Sequence, residues 1–134
     1  MNHSKKLMVP VAAGELIDKI TILKLKVEKL TTTKSINNAK HELNELEYIM
    51  KSTQELNQEQ VYLSMGKLED INRDLWEVED KLRVLEREEL FEQDFIDLAR
   101  SVYKLNDERS KIKKVINIHC KSVIIEEKSY GDLD

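Results

Sequence analysis

Glycine and proline are nearly missing from this chain, with 3 Gly and 1 Pro in 134 residues. That scarcity leaves no glycine-rich phosphate loop or nucleophile elbow, and it fits a chain made almost wholly of helices. One cysteine, Cys120, cannot form an internal disulfide and suits a reducing compartment. The three histidines, His3, His41 and His119, are scattered, and no Glu-x-x-His pair of the di-iron bundles occurs. Basic residues are not in excess either. Lys and Arg total 22 against 26 Asp and Glu, a formal net charge of -4 with the signs interleaved. A duplex binder presents a basic face, so no nucleic-acid partner is expected. Lys5–Lys6 and the cluster Lys111, Lys113 and Lys114 read as solvated surface. No apolar run is long enough for a signal peptide or a membrane span, so a cytoplasmic protein without a membrane partner is expected.

What remains is a periodic helical pattern. Leu68, Ile71, Leu75, Val78, Leu82 and Leu85 step by three and four residues, placing them on one helical face. Phe91, Phe95, Leu98, Val102, Leu105, Ile112 and Ile116 form a second such stripe, with Arg109 filling one step. The step from Leu85 to Phe91 breaks phase, so the chain reverses near residues 87–94 and the stripes face each other as an antiparallel hairpin. Earlier, Gly14 opens a helix whose stripe runs through Leu16, Ile20, Leu23, Val27 and Leu30. Ile17, Ile22 and Leu25 widen that stripe enough to meet two neighbours. Residues 31–35 break the pattern, and Ser35 is a candidate N-cap for a second helix with a thin stripe of Ile36, Ala39, Leu43, Leu46 and Met50. Residues 52–59 read as a loop or frayed turn. A third helix spans about residues 60–87, interrupted by Gly66, and a fourth runs from a possible cap at Asp94 to about His119. Residues 1–13 and 120–134 form extended arms, the first lying on the bundle and the second ending in an acidic tail. Both arms read as extended, which makes a small two-stranded pairing between them an option.

Candidate sites follow from residues that break the stripes. Arg109 stands where spacing predicts an aliphatic side chain. Its guanidinium must snorkel to the bundle end, meet a carboxylate such as Asp18 or Asp80, or hold an anion. Arg73, Trp76, Asp80, Arg83 and Arg87 share one flank of the third helix. Arg100, Tyr103, Asp107 and Ser110 share one flank of the fourth. Converging, these flanks would make a polar groove suited to a phosphate, a carboxylate or an acidic helix; apart, they are ordinary exposed bundle surface. Glu42-x-x-Glu45 and Glu77-x-x-Asp80 are two acidic pairs at helical spacing. They resemble the signature of the all-α nucleotide pyrophosphohydrolases, which implies Mg²⁺ held against a nucleotide's phosphates, although His41 stands where that family has a further Glu. Residues 14–20 (GELIDKI) also resemble the opening helix of the all-helical chorismate mutases, whose converging Arg and Lys residues have no residue-by-residue match here.

A broader likeness covers most of the chain. Residues 14–23 (GELIDKITIL), 75–83 (LWEVEDKLR), 98–103 (LARSVY), 106–109 (NDER) and 126–130 (EEKSY) resemble a small uncharacterised family of bacterial and phage proteins, a domain of unknown function. That resemblance implies a helical fold and supplies no catalytic residues. The expected architecture is therefore a single all-α domain, an antiparallel helical bundle or long coiled-coil-like hairpin with short extended arms. The broad first helix and thin second helix leave apolar surface to cover, which points to a homodimer. The expected function is a non-catalytic interaction or regulatory module that binds a partner protein without a cofactor. The rival is a small-molecule or nucleotide-phosphate enzyme, Mg-dependent in its pyrophosphohydrolase form, using Arg100, Tyr103, Asp107 and Arg109 with Asp18 or Asp80.

Overall fold

The computed structural model describes residues 5–122, 124–129 and 131. It contains four α-helices: α1 (Ala13–Lys29), α2 (Thr33–Ser52), α3 (Glu59–Arg87) and α4 (Gln93–His119). A 3₁₀ turn at Gln54–Leu56 joins α2 to α3 and drops Leu56 into the core. No strand occurs among the described residues, so the arms do not pair as a two-stranded element there. The acidic end at 132–134 and residues 1–4, 123 and 130 lie outside the described residues.

The α3–α4 hairpin forms as the two stripes require. Its turn closes by a device that the sequence does not advertise. Glu88 caps α3, Glu89 takes a left-handed backbone (φ 57°), and the Leu90 and Glu89 N–H groups donate to the Leu85 and Glu86 carbonyls. This is a Schellman closure, usually served by glycine. The end of α4 repeats it, with Lys121 left-handed (φ 53°) and the Ser122 N–H donating to the Asn117 carbonyl at 2.8 Å. Capping departs from expectation at two helix starts. Thr32, not Ser35, caps α2, its hydroxyl accepting from the Ser35 N–H at 3.3 Å. Asp94 lies within the first turn of α4, behind Glu92 at the cap.

Helix α1 is the hub, packing against α2, α3 and α4. Its wide stripe is used as the spacing predicts: Leu16, Ile17, Ile20, Leu23 and Leu25 are all buried. Leu16, Ile17 and Ile20 join Met50, Leu56, Val61, Leu68 and Ile116 in one core. That core occupies only one end of the molecule. At 1.5 Å per residue, α1 is ~25 Å long and α3 ~43 Å, so α1 cannot follow the hairpin to its turn. No residue from 76 to 115 is fully buried. The N-terminal arm also differs from expectation. It does not lie down on the bundle: Leu7, Met8 and Val9 are 70–85% exposed, and the neighbouring Lys6 reaches Glu45 at 2.6 Å.

Candidate functional site

Three helices converge on Asp18, whose side chain is wholly buried. Its place in the second turn of α1 turns it away from solvent, between the α3 and α4 faces. The Arg109 Nε donates to both carboxylate oxygens at 3.0 Å, and Nη2 also donates to Oδ2. From α3, the Asn72 amide donates to Oδ1 at 2.9 Å and to the Thr21 hydroxyl at 2.8 Å. Thr21 in turn donates to the Asp18 carbonyl at 2.7 Å, back-bonding one turn of its own helix. Arg109 keeps its geometry through a bond from Nη1 to the Asn106 side-chain oxygen at 3.2 Å. Of the two carboxylates proposed for Arg109, Asp18 takes it. Asp80 is exposed and meets Arg83 of its own helix at 3.4 Å.

A second cation lies one turn further along α4. The Lys113 ammonium bonds Glu15 at 2.7 Å, faces Glu126 at 3.3 Å and stands 4.0 Å from Asp18. Burial pulls its pKa down, but the bond to Glu15 and the charges of Glu15, Asp18 and Glu126 outweigh that and leave it above the ordinary lysine value. The Asp18 hydrogen bonds raise Arg109 in the same way, against the opposing effect of burial. Both groups are fixed cations at neutral pH.

The same faces hold the start of α1. Ala12 at the cap has no side chain able to accept, so α4 supplies the acceptors across the interface. The Gly14 N–H donates to the Asn117 side-chain oxygen at 2.6 Å, and the Ala13 N–H donates to the Ser122 hydroxyl at 3.2 Å. Gly14 is required by distance: a Cβ there would stand 2.4 Å from the Lys113 carbonyl oxygen. The other end of the buried Asn117 amide, Nδ2, has no partner among the described residues.

The expected polar groove divides into two places. Tyr103 and Arg109 line a cavity of about 480 Å³ beside the C-terminal arm, together with Asn106, Ser110, Lys113 and Asn117. Asp80 and Arg83 line a groove near the hairpin turn with Phe95 and Ala99. Asp107 pairs with Lys128 at 2.7 Å, Arg73 reaches Glu28 of α1 at 2.8 Å, Arg100 is exposed and Trp76 is half-buried. Of the acidic pairs, Glu42 faces Lys19 at 3.0 Å and Glu45 faces Lys6, while Glu77 and Asp80 are exposed on α3. Among the described residues no three His, Cys, Asp or Glu side chains stand close enough together to hold a metal ion. Sequence reasoning missed Asn72, Thr21 and Asn117. Asn72 carried a signal, since it falls between Leu68 and Leu75 at core spacing.

Residues 7–133 match the family of unknown function DUF6165. The chain belongs to this family. No curated protein and no solved structure matches it. In this DUF6165 protein the match spans all four helices and reaches the C-terminal arm, so the Asp18 network and the cavity both fall inside the family's extent. No helix among the described residues is long and apolar enough to cross a membrane.

Proposed function

We propose that this protein is a non-catalytic interaction module working as a homodimer, with the far half of the α3–α4 hairpin as its contact surface. The observation that carries the reading is surplus surface. A compact monomer of this mass exposes about 7,300 Å², whereas this chain exposes 9733 Å². A stable pair hides roughly 800 Å² on each partner, so the surplus is ample. Apolar side chains line two grooves along the hairpin, of about 850 and 600 Å³, floored by Leu82, Val84, Leu85, Phe95 and Leu98. Their rims carry both signs, with Arg83 and Arg87 near the end of α3 and Asp94 and Asp97 at the start of α4. A two-fold contact sets the bases of one copy against the acids of the other, which favours a second copy as the occupant. The exposed ribbon of Leu7, Met8 and Val9 offers a further strip for the same partner.

Light scattering on the full chain across a concentration series tests this. The expected species has twice the 15.7 kDa chain mass. Val84→Lys with Leu98→Lys should return it to a monomer of unchanged helix content. A 15.7 kDa species at every concentration, or a dimer indifferent to both substitutions, contradicts the reading. The same reading makes the protein a cytoplasmic one of bacteria or their phages, with Cys120 kept as a reduced thiol. The composition supports it, and so does the stated family resemblance.

A further inference from the structure

The cavity beside the C-terminal arm shares no lining residue with the hairpin grooves, and its chemistry is specific. Its cations are Arg109 on one turn of α4, Lys113 and Lys114 on the next, and Lys128 of the arm. Arg109 and Lys113 are held in place from behind by Asp18 and Glu15, so their positions do not depend on anything in the cavity. The arm supplies the opposing charge. Glu126 faces Lys113 at 3.3 Å and Glu127 faces Lys114 at 3.1 Å. These two carboxylates are 45% and 76% exposed, and ion pairs that open to water hold weakly. Asn117, 1% exposed and with an unpartnered Nδ2, lines the cavity as well, and Tyr103 gives it an aromatic wall. A volume of about 480 Å³ suits a small metabolite.

We infer that this cavity binds a small dianion, a phosphate monoester or a dicarboxylate, and that Glu126 and Glu127, paired with its lysines, are an intramolecular stand-in which the ligand displaces. The charge count sets the class. The arm brings two carboxylates to the cavity, so a ligand that replaces them at unchanged net charge carries two negative charges. Lys113 keeps Glu15 and Asp18 when Glu126 leaves, so the site stays formed during the exchange. The inference is independent of dimer formation at the hairpin.

Isothermal titration of the full chain near pH 7.5 tests it, with inorganic phosphate and succinate as probes and chloride at matched ionic strength as control. At least one dianion should bind where chloride does not, and the tighter of the two identifies the head group. Glu126→Gln with Glu127→Gln should tighten binding about tenfold, the combined worth of two exposed ion pairs. Lys114→Gln, an exposed change that leaves the fold intact, should weaken it several-fold. The inference is overturned if neither dianion binds the wild type or the Glu126→Gln/Glu127→Gln chain. Heat matched by chloride, or affinity unmoved by the arm substitutions, overturns it equally.

Discussion

The two ends of the α3–α4 hairpin are built from the same three-and-four apolar spacing and end up in opposite states. Near the base, Leu68, Ile71, Leu75 and Ile116 are buried because α1 closes over them. Near the turn, Leu82, Leu85, Phe95 and Leu98 of the same stripes are only half-buried and Phe91 is 52% exposed, because α1 does not reach that far. The periodicity of a stripe therefore reports which face is apolar, but the length of the neighbouring helix decides how much of it is covered. Polar chemistry divides in the same way. At the base a carboxylate and a guanidinium are locked between three helices. Near the turn, the Arg83–Asp80 and Arg83–Glu79 pairs lie along one exposed helix and contribute little.

The sharpest way to break the comparison is to unpair Asp18. Arg109→Met leaves a wholly buried carboxylate without its bidentate partner and should cost about 3–5 kcal/mol in urea unfolding. Adding Asp18→Asn should recover more than half of that loss, since the burial penalty falls with the charge. Arg83→Met near the turn should change stability by less than about 0.5 kcal/mol. Equal effects of Arg109→Met and Arg83→Met would erase the distinction between the ends.

Two glycines give a smaller contrast of opposite sign. Gly14→Ala drives a methyl into the Lys113 carbonyl and should destabilise by about 1–3 kcal/mol despite alanine's better helix propensity. Gly66 sits on an exposed face of α3 with nothing within 4 Å of a Cβ, so Gly66→Ala should stabilise by about 1 kcal/mol. Thermal midpoints that move in the same direction for both would contradict the packing of α1 on α4.

The smallest expected effect is electrostatic. Lys113 has a folded pKa above its ordinary 10.5, so its stabilising contribution is complete below that value and is lost as pH rises through the raised one. Stability should therefore fall on the alkaline side of about pH 10.5, and Lys113→Met should lower stability at pH 7 to 9 without changing the slope there and flatten the alkaline fall. An unchanged alkaline slope in that variant would remove Lys113 from the network.

Much of this was readable from residue spacing alone. The stripes fixed four helices, the reversal before Asp94 and the burial of α1 on two sides. The misfit of Arg109 marked it as a residue that must snorkel, meet Asp18 or Asp80, or hold an anion, and the packing of α1 against α4 is what selects Asp18. Other features carried no local signal. Glu89 and Lys121 perform turns that glycine usually performs, so composition gave no mark of either. The start of α1 has no capping residue because Asn117 and Ser122 do that work from about a hundred residues away. The polar groove divides because flanks on paired helices share a direction without sharing a depth: Tyr103 and Arg109 lie beside the C-terminal arm, Asp80 and Arg83 beside the turn.

Segment-resolved hydrogen exchange, measured at several protein concentrations, probes both ends in one experiment. Amides of α1 and of α3 around Leu68 to Leu75 should be strongly protected at every dilution, and those on either side of the turn should gain protection only as concentration rises. Protection near the turn that is already complete in dilute solution, or rapid exchange around Asp18, would show that base and tip are not the different structures described.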